Sequence, residues 1–399
     1  MHIDTDARRY LDAMEQARLE LIELRHDLHR HPELGFEEHR TSTLVARLLK
    51  EWGYRVERGI AGTGVVAQLV CGNGGRRLGL RADMDALPID EKSGVAHTSI
   101  HPGVMHACGH DGHTAMLLGA ARFLAETRAF SGTLNLIFQP AEEGLNGLSG
   151  ALRMVQEGLF ERYPCDAIFA MHNMPGYPEG QFVFRAGPTL ASSDYATIVV
   201  TGVGGHGAHP HRSADPVVAA ASIVMALQTL VSRNAPPLET AVVTVGAIHG
   251  GSVGNVIPDQ VTMEVGIRTL DADVRRLLEQ RLKTLVTAQA ESYGVHATVD
   301  YRQGFPVLVN ERGATVFACE TARALVGEEQ VTVPGAQRSG SEDFAYMLEH
   351  CRGAYLYLGA GDGEEVCMVH NPAYDFNDRL LVTGAAYWAC LAERFLVAE

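Results

Sequence analysis

Five short stretches of the chain gather side chains that can do chemistry. They are Arg81-Ala82-Asp83-Met84-Asp85-Ala86-Leu87-Pro88, Met105-His106-Ala107-Cys108-Gly109-His110-Asp111-Gly112-His113, Gln139-Pro140-Ala141-Glu142-Glu143, His172-Asn173, and His370-Asn371 with Tyr374-Asp375-Phe376-Asn377-Asp378. Thiolate, imidazole and carboxylate form the ligand set of zinc and similar divalent ions. Cys108 and His110 stand two apart, so an extended or looped backbone can aim both at one point. Glu142 and Glu143 are neighbours, and side chains of neighbours on an extended segment diverge. One of them can ligate a metal while the other faces substrate. A divalent metal brings the pKa of water down to about 7, and a nearby carboxylate takes the proton as general base. The reaction class is metal-assisted hydrolysis at a carbonyl carbon.

Taken singly, each group has a plainer reading. Cys108 reads as a buried thiol, His110 and His172 as satisfied core histidines, and a glutamate pair as a solvated face. The functional reading rests on their joint placement, because the first four groups each follow a short apolar run or open a helix. His26, His29, His31, His39, His97 and His101 have no such placement and read as surface or structural. A further polar island, Gly202 to His211, carries His206, His209 and His211 among glycines. It reads equally as a mobile loop and as a functional site whose histidines could bind a second metal. Asn255, within Gly251 to Asp259, and Arg268 offer an amide and a guanidinium suited to a substrate carboxylate.

The elements that must position these groups follow from periodicity. Residues 7–30 have helical apolar spacing (Tyr10, Met14, Leu21, Leu24, Leu28), and a second helix is expected from about Glu37 to Trp52. Gly64 to Val70, Leu78 to Leu80, Thr133 to Phe138 and Asp166 to Met171 read as buried strands, and His113 to Glu126 as a helix. Strand and helix alternate, which implies an α/β domain with a largely parallel sheet. Ligand sites of such sheets lie at the carboxyl ends of the strands. The texture changes near Gly187. From there the order is strand (Tyr195 to Val200), helix (Asp215 to Leu230), two strands (Ala241 to Ile248, Gln260 to Arg268), helix (Asp271 to Glu291) and strand (His296 to Tyr301). This β-α-β-β-α-β order is the ferredoxin-like split pattern, read as an inserted α+β domain over 190–304. The flanking segments 1–189 and 305–399 then form one discontinuous catalytic domain.

Composition narrows the function classes. The chain has 399 residues, 46% hydrophobic and 20% charged, which excludes a disordered or collagenous chain. Its 33 basic against 48 acidic residues leave a net charge of −15, which disfavours nucleic acid and anionic membranes as partners. No apolar run is read as reaching the roughly 18–20 residues of a membrane span, and Met1 to Arg9 has no apolar signal core. The seven cysteines lack paired spacing, so a reducing, cytoplasmic location is expected.

In order along the chain, these motifs, together with Gly204-Gly205-His206-Gly207-Ala208 and Asn255-Val256-Ile257-Pro258-Asp259, resemble the signatures of the M20 metallopeptidase/amidohydrolase family. The likeness covers nearly the whole chain and points to the branch of hippurate hydrolases and N-acyl-amino-acid amidohydrolases. It implies a zinc-peptidase-like α/β catalytic domain interrupted by a ferredoxin-like lid or dimerisation domain. It also implies that Cys108, His110, Glu143, His172 and His370 hold one or two divalent ions (zinc, manganese, cobalt or nickel). Glu142 would be the general base, and Asp83 or Asp85 would orient a ligand. His206 would stabilise the oxyanion, in some relatives within the partner subunit's site, and Asn255 and Arg268 would contact substrate. Many relatives carry His-x-Asp where this chain has Asp83-Met84-Asp85, and Cys108 adds a thiolate. The resemblance implies a small N-acyl-amino-acid substrate and a homodimer or homotetramer. The alternatives are a dipeptidase or carboxypeptidase on the same scaffold, or a non-catalytic metal-binding protein.

Overall fold

The apolar runs bounded by glycine become strands of two separate main sheets. The computed structural model describes residues 5–144, 148–363 and 366–397. The chain divides into a first unit (Met1–Gly187, Val309–Ala336, Tyr346–Glu399) and a second unit (Pro188–Leu308, Gln337–Ala345). The short segment Gln337–Ala345, which sequence order alone leaves with the catalytic domain, clusters with the second unit.

The first unit is built on an eight-stranded sheet. At its centre Gly132–Gln139, Arg77–Asp83, Ala167–Met174 and Gly353–Gly359 run parallel, each to its neighbour. Arg55–Ile60 and Gly64–Cys71 extend one side antiparallel. Every residue of Ala167–Met174 and of Gly353–Gly359 is buried, which is why these strands read as unbroken apolar runs rather than as an alternation. The helices His110–Thr127 and Leu380–Phe395 pack together, and their Leu117, Leu118, Trp388 and Leu391 belong to the unit's main core.

Three expectations are corrected at this level. The single helix over 7–30 is two, Thr5–Gln16 and Arg18–Arg30. The strand expected to end at Met171 continues to Met174, because Gly353–Gly359 pairs along its whole length; His172 and Asn173 therefore lie inside it. The helix begins at His110, not His113. Gly109, at φ 90°, turns the chain sharply into it, a conformation glycine adopts without steric cost.

The second unit is an antiparallel four-stranded sheet in the order Ala241–Gly250, Gln260–Thr269, Asp194–Thr201, His296–Gln303. With the helices Pro216–Thr229 and Ala272–Ser292 it is the ferredoxin-like α+β pattern. Alternate residues Ala196, Ile198 and Val200 of one strand share a core with Ile223 and Leu227 of the first helix and Leu278 and Leu282 of the second. Asp215 and Asp271 cap the two helices through their carboxylates. One stretch of the described residues, Pro216–Asn234, has 19 residues apolar enough to cross a membrane by length and composition, contrary to the sequence reading. Its Ala219, Ala220, Ile223, Leu227 and Leu230 are buried in the sheet-facing core.

Candidate active site

Three parallel strands deliver the first donors. Asp83 ends Arg77–Asp83, with Asp85 two residues on; Gln139 ends its strand just before Glu142 and Glu143; His172 lies in the last turns of Ala167–Met174. Cys108 and His110 arrive at the start of the helix His110–Thr127. His370 is held beside them by its amide, which donates to the Ala107 carbonyl at 2.7 Å, with a left-handed φ of 66°.

These side chains converge. Donor atoms of Cys108, His110 and His172 lie within 4.8 Å of one another, as do those of Cys108, Glu143 and His370, and those of His110, Glu142 and Glu143. Cys108 Sγ is 3.2 Å from His172 Nε2, and His370 Nε2 is 3.1 Å from Glu143 Oε1. The two glutamates do not diverge as an extended segment would require. They sit in a bend flanked by positive φ at Ala141 and Gly144, both 48°. Their carboxylates both approach His110 Nε2, Glu142 at 3.9 Å and Glu143 at 4.0 Å.

The outer atoms of the imidazoles are tied down. His110 Nδ1 is 3.1 Å from Asp85 Oδ1, and His172 Nδ1 donates to the Asn173 carbonyl at 2.5 Å. Each ring is therefore held through Nδ1 and turns Nε2 inward, the arrangement of a metal-ligating histidine. His110 Nε2 is buried and has no hydrogen-bond partner. An orphaned Nε2 facing carboxylates at 3.8–4.0 Å fits a divalent cation between them better than any protein donor present.

The electrostatics agree. Burial, together with Glu143, Glu142 and Asp83, pushes the Cys108 thiol far above its ordinary range. Burial and the neighbouring His113 push His172 far down, so its ring is neutral. Burial opposes charge on His110, yet Asp83, Asp85 and Glu143 raise it to about 10, so that without a cation the ring holds a second proton on Nε2, which a metal ion there displaces. A buried site that accumulates carboxylates in this way calls for a cation.

The two aspartates have different partners. Asp85 holds His110 through Oδ1 and accepts the Glu143 amide on Oδ2 at 2.9 Å. Asp83 lies 2.6 Å from His113 Nδ1 and accepts Arg81 at 2.7 Å. His113 continues to Asn173 at 2.6 Å, and Asn173 meets the Tyr374 hydroxyl at 2.6 Å. Asp83 is an expected site residue; His113, Asn173 and Tyr374 stand in the quoted motifs without an expected role, although His113 stands three after His110 and so shares its helix face. Tyr374 stands in the C-terminal motif, but nothing in the sequence pairs it with Asn173. Deeper still, the buried Arg25 meets Asp375 at 2.6 Å and Asp378 at 3.0 Å, and His29 meets Asp111 at 2.8 Å and Glu91 at 3.1 Å. His29 is thus structural, but as a fully buried ion-pair member rather than a surface residue.

His206, Asn255 and Arg268 belong to the second unit. His206 and Asn255 are brought together: His206 pairs with Val256, and the Gly207 amide donates to the Asn255 carbonyl at 2.8 Å. A Cβ on Gly207 would lie 3.1 Å from the Asn255 backbone, which explains this glycine. His206 is exposed, and its Nδ1 accepts the Ala208 amide at 3.0 Å, so the ring proton sits on Nε2. Arg268 donates to Ser341 and to the Tyr195 hydroxyl, both at 3.1 Å, and its guanidinium lies 5.5 Å from the Tyr195 ring centre. Tyr195 and Ser341 carried no signal in the sequence, since neither stands in a motif.

A parallel-centred sheet with thiol, imidazole and carboxylate donors at its strand ends, in a chain interrupted by a ferredoxin-like unit, defines a metal-dependent hydrolase. The chain belongs to peptidase family M20/M25/M40, whose sequence pattern matches residues 79–394. It is 43% identical to hippurate hydrolase of Campylobacter jejuni, over 94% of this chain and 97% of that one. It is 38% identical to N-acetyl-L-cysteine deacetylase of Bacillus subtilis, over 94% of this chain and 88% of that one. Among solved structures, the Bacillus subtilis YXEP protein, described as a dinuclear metal-binding peptidase of the M20 family, superposes with a TM-score of 0.83. That protein is 34% identical to this chain, covering 96% of it and 99% of its own length.

Proposed function

We propose that this enzyme hydrolyses the amide bond of N-acyl-amino acids of the hippurate and N-acetyl type, releasing a carboxylic acid and a free amino acid. The observation that carries the reading is the pair of inward-facing Nε2 atoms of His110 and His172, closed in by Cys108, Glu143 and Glu142. The likeness to hippurate hydrolase and to a deacetylase supports the acyl-amino-acid substrate.

Cys108, His110, Glu143, His172 and His370 would hold one or two divalent ions. Bound there, the metal supplies Lewis acidity toward water and toward the scissile carbonyl. Glu142 receives the proton of the attacking water on its carboxylate and later passes it to the departing nitrogen. Asp85 fixes the tautomer of His110 and Asp83 that of His113. His206 donates from Nε2 to the oxyanion, and Asn255 and Arg268 take the substrate carboxylate. A thiolate among imidazoles favours zinc, with manganese, cobalt and nickel as working substitutes. The second unit serves as lid and assembly surface in a homodimer or homotetramer; its strand Ala241–Gly250 is a sheet edge with Val242 and Ile248 exposed. Seven free cysteines suit a reducing, cytoplasmic compartment.

The test is amino-acid release from N-benzoyl-, N-acetyl- and indole-acetyl-amino acids and from dipeptides, on metal-stripped enzyme with each ion restored separately. Restored cleavage of acylated substrates is expected. Cleavage of dipeptides alone moves the chain to the peptidases, and metal binding without any cleavage overturns the catalytic reading.

A further inference from the structure

We propose that Glu38 is a positioning residue for the general base, holding the strained turn that aims Glu142; this rests on Glu142 being the base. Glu38 is fully buried. Its Oε1 accepts the Ala141 amide at 2.8 Å, and its Oε2 accepts the Thr63 hydroxyl. Among the described residues it forms no ion pair. A buried carboxylate without a cation is costly, so its two acceptor contacts must be what the fold keeps it for.

The amide it grips is the one that matters for the base. Ala141 immediately precedes Glu142 and has a φ of 48°, a conformation that residues with a side chain rarely adopt. Such strain persists only where the surroundings over-determine it. Here they do. The Ala141 carbonyl accepts the Gly150 amide at 3.0 Å, so both polar backbone groups of Ala141 are fixed. Gly35 packs against it so closely that a Cβ there would lie 2.9 Å from the Ala141 Cβ. A Cβ on Gly150 would fall 1.6 Å from the Pro140 carbonyl oxygen. The same stretch reaches the neighbouring strand end, where the Ala86 amide donates to the Glu33 carbonyl at 2.8 Å. Glu33 to Glu38 thus buttresses two of the turns that carry catalytic carboxylates. Without the Glu38 acceptor, Ala141 can relax toward ordinary φ, and the Glu142 carboxylate leaves the position from which it takes the proton of the attacking water. A displacement of about 1 Å at a reacting group can lower the rate about 100-fold.

The experiment compares Glu38→Met, which keeps volume and removes both acceptors, with Glu38→Gln, whose amide oxygen still accepts the Ala141 amide. Steady-state kinetics on an N-acyl-amino acid and bound-metal content are measured, with Glu142→Gln alongside. Glu38→Met is expected to lower kcat about 10–100-fold, with KM within about threefold and metal content unchanged. Glu38→Gln is expected to restore kcat to within about threefold of wild type. Wild-type kcat in Glu38→Met, metal loss in parallel with kcat, or Glu38→Gln as impaired as Glu38→Met would each overturn the proposal. Should Glu38→Met fail to fold, Thr63→Val decides: a fall in kcat at constant KM supports the strut, and an unchanged kcat overturns it. Near-normal turnover by Glu142→Gln removes the base reading itself. An inactive Glu142→Gln beside a fully active Glu38→Met removes only the positioning.

Discussion

His110 in the first unit and His206 in the second use the same device with opposite sign. Each has one ring nitrogen fixed by the protein and the other presented for chemistry. His110 donates from Nδ1 to Asp85, which leaves Nε2 for a metal ion; His206 accepts the Ala208 amide on Nδ1, so Nε2 presents a proton. The first arrangement suits a metal ligand, the second a hydrogen-bond donor. Their settings differ as well. His110 is buried amid carboxylates, whereas His206 is exposed on a two-residue ribbon among glycines. A metal site needs fixed distances and a dry shell, while a donor to a transient oxyanion needs only to reach it. The tautomer, set by one neighbouring group, decides which job a histidine can do.

That contrast can be broken at several points. The largest effect is expected at Glu142. Glu142→Gln should lower kcat by on the order of 10³-fold or more while bound metal, read by elemental analysis, stays at the wild-type level. Next is His206→Ala, expected to lower kcat about 10²–10³-fold without loss of metal or of melting temperature. A drop in metal content there would place His206 with the ligands and erase the distinction. Asp85→Asn tests the other side of the comparison. It should weaken metal affinity about 10–100-fold in a chelator competition, because the His110 tautomer is no longer enforced; an unchanged affinity would show that packing alone orients the ring.

The smallest effect concerns the buried ion pairs beneath the site. Burial disfavours charge on His29, but Asp111 and Glu91 raise it to about 9. Because the folded value lies above the roughly 6.5 of an unfolded histidine, its contribution is full below about pH 6.5 and is lost as pH rises through about 9. Melting temperature should fall across that window in the wild type. His29→Gln should start lower and show a flatter profile, and parallel curves for the two would discard His29 as the titrating group.

The residue types of the site were legible because metal chemistry draws on few side chains. Cys108, His110, Glu142, Glu143 and His172 stand in short motifs at or near strand ends, and the α/β texture predicted where those ends lie. Which supporting groups pair with one another was not legible. Asn173 and Tyr374 are 201 positions apart and meet only because the C-terminal segment folds over the helix start. Glu38 carries no motif of its own, and its value lies in one amide 103 positions away. Arg268 was marked for its guanidinium, but Tyr195 and Ser341, each 73 positions from it, were silent.

The sequence by itself determined the order of the second unit, several central strands of the first, the donor types and the class of chemistry, because periodicity and ligand preference are local properties. Only the tertiary structure decided which aspartate serves which histidine. It also decided that two adjacent glutamates converge rather than diverge, and on which nitrogen each imidazole carries its proton. Those choices depend on single hydrogen bonds and on a left-handed turn at Ala141, which exist only once distant segments have packed.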